Sequence, residues 1–114
     1  MLMPKQHVRP ATVPPEVHPV LCQLGERVAL ARRRRGLRLV DLAKQIGISA
    51  PTMVRLERGE PTVSFGAFAM ALWALGLLDD LARVGDPRRD EVGLARDLEN
   101  LPKHVGHERL DNDF

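Results

Sequence analysis

With 114 residues the chain has room for one domain, and an apolar fraction of 44% fits an ordinary globular protein. The only aromatic residues are Phe65, Phe68, Trp73 and Phe114, which counts against folds that stack bases on aromatic platforms. Cys22 is the sole cysteine, which excludes a disulfide framework and a thiolate metal cage and leaves it as a small core or surface residue.

No stretch approaches the roughly 18 apolar residues of a membrane span, and the start of the chain has no apolar run of the signal-peptide kind. The expectation is a cytoplasmic protein with no membrane partner. The net charge of +2 conceals an asymmetry. Residues 1–19 carry +1, residues 20–84 hold ten Lys or Arg against six Asp or Glu, and residues 85–114 hold five against eight. A basic middle joined to an acidic tail implies one surface for polyanions and another role for the tail.

Pro4, Pro10, Pro14, Pro15 and Pro19 punctuate the first nineteen residues, where no apolar period supports a core. This reads as a flexible proline-rich arm over 1–19, followed by a domain over 20–84 and an acidic tail over 85–114. From Pro19 onward the apolar period is helical and no run of β-branched residues alternates, so the fold is expected to be all-α.

Helix one is expected from about Val20 to Arg35, with Leu21, Leu24, Val28 and Ala31 on one face and Gly36 as its stop. Helix two covers about Leu39 to Ile46, with Leu39, Leu42, Ala43 and Ile46 inward and Gly47 ending it. Only Gly47 and Ile48 separate it from Ser49, an N-cap for helix three, in which Pro51 occupies a first turn that needs no N–H. Gly59 closes helix three. Helix four starts after the cap Ser64 and ends before Gly76, with Phe65, Phe68, Leu72 and Leu75 assigned inward. A short fifth helix follows around Asp79 to Val84. Asp86, Pro87, Leu94, Leu98 and Leu101 allow a sixth helix up to Pro102, weakened by Gly93.

Two short helices joined through a glycine turn, with the small Ala43 at their closest approach, form a helix-turn-helix. Advancing 100° per residue along helix three groups Ser49, Met53, Leu56 and Glu57 on one side and Pro51, Val54, Arg55 and Arg58 on the other, with Ala50 and Thr52 flanking. The second group is free to meet a duplex. Arg32 to Arg35 end helix one, where cations offset the helix dipole. Arg32 is expected to be structural, while Arg33 and Arg34 are either phosphate contacts or solvated.

The segment from Leu24 to Leu78 resembles the Xre-type, lambda-repressor-like helix-turn-helix domain. The residues that carry the resemblance are Arg32 and Gly36-Leu37, Leu42-Ala43, Gly47-Ile48-Ser49, Leu56-Glu57 with Gly59, and Leu75-Gly76. It implies a five-helix domain and places Ser49, Ala50, Pro51, Thr52 and Arg55 near phosphates and base edges. Carried over in this way, Arg55 is the residue able to read guanine with two hydrogen bonds, while Ala50 and Thr52 meet thymine methyls. Leu39, Lys44, Arg33, Arg34 and Arg58 complete the expected DNA-binding set. The resemblance also pairs Arg32 with Glu57 in an ion pair.

Two departures from the pattern stand at helix two, which usually opens with a Ser or Thr cap and then Gln. Here Arg38 and Leu39 stand instead. The missing cap is expected to weaken that helix by about 0.5–2 kcal/mol, and Leu39 lacks the family's amide contact to DNA.

The stretch Leu72 to Leu78, followed by Asp86-Pro87, Asp90 to Leu94 and Leu101-Pro102-Lys103, is similar to HipB-type antitoxins. That similarity implies repression of an operon shared with a HipA-type kinase toxin. Alternatives are a phage-type or housekeeping repressor without a toxin, and a module of the same fold that bridges proteins. Helix four is apolar on both sides, so Gly66, Ala69, Met70, Trp73 and Leu77, with Leu78 and Leu81 nearby, are expected to seal a homodimer on a palindromic operator.

No catalytic triad, carboxylate pair or glycine-rich phosphate loop is present, so no enzyme activity and no cofactor are expected. His104 and His107 have a ligand-like spacing, but no third ligand completes a metal site.

Overall fold

The computed structural model describes residues 12–102. These fold entirely as helices and turns: α1 (Val17–Arg34), α2 (Leu39–Ile46), α3 (Ala50–Glu57), α4 (Phe65–Ala74), α5 (Leu78–Ala82), a 3₁₀ turn (Pro87–Arg89) and α6 (Glu91–Glu99). They divide into two compact units, with the boundary between Leu81 and Ala82. Most of the proline-rich arm, the histidines His104 and His107, and the end of the acidic tail lie outside the described residues.

The core of the first unit is built from Val28 and Ala31 of α1, Leu42, Ala43 and Ile46 of α2, Met53 and Leu56 of α3, and Ala67, Ala71 and Leu75 from α4 and its end. α3 packs on both α1 and α2, and α4 packs on α2. α1 starts at Val17, about three residues ahead of the start expected from the sequence. Pro19 lies in the first turn, where the missing N–H costs no helical bond.

Each of the first four helices ends on the same pair of backbone bonds. The N–H of Leu37, Ile48, Glu60 and Leu77 donates to the carbonyl of Arg32, Ala43, Arg55 and Leu72 respectively. This is the reverse turn that satisfies orphan carbonyls at a helix end. Leu37, Ile48 and Leu77, just past the turn, pack against the core. At Gly47 the turn requires φ of +76°, a left-handed conformation open to glycine at little cost.

α4 departs from its expected phase. Ala67, Ala71 and Leu75 are buried, whereas Phe65 is 72% exposed, so Phe65 does not belong to the core. Burying the two alanines lets α4 approach α2 closely and rotates Phe65 outward. Leu77, assigned to the outer face, is half-buried against the core instead. Its backbone bond to Leu72 turns it back under the helix.

The start of α2 also differs from expectation. Arg38 offers no side-chain oxygen, but Asp41 reaches back and accepts from the Arg38 backbone N–H at 3.1 Å. The same carboxylate accepts from Arg38 Nε at 3.1 Å and Nη2 at 3.0 Å. The helix is therefore held at its start from its third position, as in one half of a capping box. These bonds to Arg38 hold the Asp41 carboxyl below the usual carboxylate range.

In the second unit the 3₁₀ turn packs on α6, and the single expected helix is broken in two. Asp86 caps the turn through Arg88 N–H, and Asp90 caps α6 through Gly93 N–H. Two competing caps four residues apart end one element and begin another.

At Gly25 and Gly59 the backbones of α1 and the end of α3 come close together. A Cβ on the buried Gly25 would lie 2.5 Å from the Glu57 carbonyl oxygen and 2.6 Å from the Gly59 nitrogen. A Cβ on Gly59 would run into the Leu21 carbonyl. Neither neighbour is a flexible side chain, so Gly25→Ala is expected to force α1 and α3 apart and to destabilise the domain by about 1–3 kcal/mol. A denaturant titration checks this, and a midpoint equal to the parent's would show that the two backbones separate freely.

Candidate nucleic-acid interface

α3 is held from below. Met53 and Leu56 are buried, and Glu57 accepts from Arg32 Nε at 2.7 Å and Nη2 at 3.1 Å. Arg32 Nη1 donates to the Leu37 carbonyl at 2.8 Å. Both side chains of the pair are about nine-tenths buried. Removing one partner would leave the other charge inside the fold, an arrangement that costs about 3–5 kcal/mol when burial is complete.

The N-terminal end of α3 is set by Ser49, whose Oγ accepts from Thr52 N–H at 3.2 Å and donates to Thr52 Oγ1 at 2.9 Å. Pro51 contributes no N–H, so the backbone there is rigid without further partners. With its inner side fixed, α3 presents exposed Pro51, Arg55 and Arg58, while Ala50, Thr52 and Val54 are half-buried beside them. An exposed face on the second of two helices joined by a tight turn is the geometry that enters a major groove.

Hydrogen bonding sorts the cations near this face. In the run at the end of α1, Arg32 is bound to Glu57, and Arg35 turns back to donate to the Ala31 carbonyl at 2.8 Å. Arg38 is bound to Asp41. By contrast Arg33, Arg34, Lys44, Arg55 and Arg58 are exposed and have no side-chain bond within the described residues. A cation with no internal hydrogen bond keeps all its donors for a polyanion, although Lys44 also feels the charge of Asp41 through space. The sequence set Arg32 apart as structural, but the internal bonds of Arg35 and Arg38 were not foreseen there.

Leu39 does not join the exposed set. It is half-buried and packed against the core, so it lies with the inner stripe of α2. Of the residues assigned to self-association, Met70 is 42% exposed, Trp73 61% and Leu78 42%, while Leu81 is half-buried. Phe65 shares the outer face of α4 with Met70 and Trp73, a neighbour the sequence reading had placed in the core. Cys22 is half-buried, with its Sγ 3.7 Å from His18 Nε2. Among the described residues no three His, Cys, Asp or Glu side chains come together as metal ligands, and no helix is long and apolar enough to cross a membrane.

A family model described as a helix-turn-helix domain matches residues 23–91, which is more than half of the chain and includes all of α2, α3 and α4. No curated protein and no solved structure matches the chain. The paired short helices, the glycine turn between them and the anchored, outward-facing α3 agree with that match, and the chain belongs to the helix-turn-helix domain family, whose architecture is that of DNA-binding regulators.

Proposed function

We propose that this protein is a sequence-specific repressor without enzymatic activity, which binds a palindromic double-stranded operator as a homodimer and is also the antitoxin of a HipA-type kinase toxin. The observation that carries the DNA-binding part is the set of unengaged cations. Arg55 on α3, Arg58 at its C-terminal cap, Lys44 on α2 and Arg33 and Arg34 at the end of α1 are exposed and free of side-chain hydrogen bonds beside a recognition helix anchored through Glu57. Base readout falls to Arg55, with Ala50, Pro51 and Thr52 setting how closely α3 approaches. The other cations act on phosphates. In the dimer the two α3 helices lie about 34–36 Å apart, one turn of B-DNA.

The homodimer is supported by the outer face of α4. Phe65, Met70 and Trp73, with Leu78 after them, are exposed large apolar side chains. Full burial of a wholly exposed side chain of this kind yields about 1.5–3 kcal/mol, and these, 42–72% exposed, gain the corresponding part of it. Toxin binding is supported by the similarity of Leu72 to Leu78 and of the tail to HipB-type antitoxins. It is also supported by α6, where Leu94 and Leu98 are exposed four residues apart among Glu91, Asp97 and Glu99, with exposed Leu101 just past the helix end.

Arg55→Ala is expected to lose about 1–3 kcal/mol per half-site on operator and to relax preference at one base pair. Arg34→Ala is expected to weaken operator and scrambled duplex by the same factor and to flatten the salt dependence. Competition titrations at two salt concentrations measure both. Equal loss on both duplexes with Arg55→Ala would make its contact a phosphate contact.

Trp73→Glu is expected to turn a sedimenting dimer into a monomer with unchanged helix content, because Trp73 is 61% exposed within one chain. A parent protein that sediments as a monomer at micromolar concentration would end the dimer proposal. Ending the chain after Gly85 is expected to abolish capture of the kinase toxin while operator binding stays near the parent's. Toxin capture unaffected by that truncation would remove the tail from the interface, and a parent that binds operator but no kinase would be a repressor without a toxin.

A further inference from the structure

The corner between α1 and α2 concentrates charge. Arg33, Arg34, Arg35 and Arg38 are four exposed arginines within six positions. In a helix-turn-helix the first helix of the pair crosses the phosphate backbone. Here that helix is α2, and Arg38 stands at its start. Yet Arg38 is not available as Arg33 and Arg34 are. Asp41 accepts from its backbone N–H and from two nitrogens of its guanidinium.

We infer that Asp41 is a built-in counter-ion that competes with duplex phosphates for the Arg38 guanidinium and so holds down sequence-independent attraction at this corner. The inference rests on the duplex-binding reading above. The competition is close because the pair is open to water: the Arg38 side chain is 77% exposed and that of Asp41 is 41% exposed. Exposed ion pairs are weak, and an arginine–phosphate bond offers the same paired geometry as the bond to carboxylate. The two groups also favour each other's charged forms, with Arg38 raised and Asp41 lowered chiefly by their mutual side-chain hydrogen bond. Asp41 therefore remains an anion at neutral pH.

A purely structural role for Asp41 makes a different prediction from a brake. Asn at position 41 keeps an oxygen for the Arg38 N–H, and so keeps the hold on α2, while removing the charge that competes with phosphate. Asp41→Ser serves as a second variant that also keeps an acceptor oxygen.

The experiment is a salt titration of full-length parent, Arg38→Ala, Asp41→Asn, Asp41→Ser and the Arg38→Ala/Asp41→Asn double variant, on operator and scrambled duplex. Each is read below its own melting temperature. Asp41→Asn is expected to bind both duplexes more tightly at low salt. One freed phosphate contact steepens the salt slope by about 0.9, which is about a 3.5-fold greater loss of affinity between 50 and 200 mM salt. Arg38→Ala alone is expected to leave the slope near the parent's, and the double variant to return to it.

Three results would overturn the inference. One is a parent-like slope in both charge-free variants. Another is a gain that persists in the double variant, which would mean that Asp41 acts by repelling DNA or through the nearby charge of Lys44, and not through Arg38. The third is a flattened slope in Arg38→Ala alone, which would mean that Arg38 already holds a phosphate. If the parent retains neither duplex at low salt, the duplex-binding reading itself fails. Tight parent binding with any of the three results leaves that reading standing without the brake.

Discussion

The guanidinium of Arg32 bonds to two separate parts of the chain, and the pose of α3 depends on those bonds. Its Nε and Nη2 hold Glu57 at the end of α3, and its Nη1 holds the Leu37 carbonyl in the connection from α1 to α2. One side chain thus ties the end of α1, the entry to α2 and the end of α3. The planar fork of arginine suits this task because it can direct paired donors to a carboxylate and still offer another elsewhere. A lysine would supply the charge without the geometry. The contact between Gly25 and the α3 backbone works with this bond, since the two glycines permit the helices to approach and the ion pair fixes where along them they do so.

This anchoring determines which charges are left for a ligand. The chain has a modest net charge of +2, so a strong polyanion surface has to come from where charges lie and not from their sum. Arg32, Arg35 and Arg38 are bound within the fold at carboxylates or a helix-end carbonyl. Arg33 and Arg34 lie between Arg32 and Arg35 in sequence yet have no internal hydrogen bond. Residues one apart on a helix are turned by 100°, so a run of four arginines cannot all meet the same neighbours.

Much of this fold was legible because its signals are local. The glycine stops at Gly36, Gly47, Gly59 and Gly76, the caps Ser49 and Ser64, and the 3.6-residue period of α1 and α2 each act within a turn or two of chain. What was not legible depends on contacts distant in sequence or on a choice among several local partners. Gly25 carries no signal in its own helix, because the reason for it lies at Glu57 and Gly59, more than thirty residues away. At α2 the absence of a Ser or Thr at position 38 suggested a lost cap, but the carboxylate that replaces its effect sits three residues on, at Asp41. At the interface, helical phase nominated Arg55 and Arg58 for the exposed side of α3 and put Leu39 on the inward stripe of α2, whereas the family resemblance had added Leu39 to the DNA-binding set; packing against the core agrees with the phase.

The phase of α4 is the clearest case, because its composition offers no polar side to choose against. Every residue from Phe65 to Ala74 is apolar or glycine. Assigning Phe65, Phe68, Leu72 and Leu75 inward follows the large side chains of such a helix, and it fails here at Phe65 alone. Phe68 and Leu72 pack on the core, but the fully buried positions are Ala67 and Ala71, and the two most exposed large side chains on the helix are Phe65 and Trp73. Small residues inward allow a close approach to α2, which a domain with so few large core side chains needs in order to pack without voids. Phe65 and Trp73 then face away from the core. A monomer whose largest apolar side chains point to water leaves them without the burial that stabilises such groups elsewhere. A second copy meeting the same face would supply that burial, and it would do so on the helix next in sequence to the recognition helix, so that the spacing of two α3 helices on a duplex would be set by how two α4 faces pack.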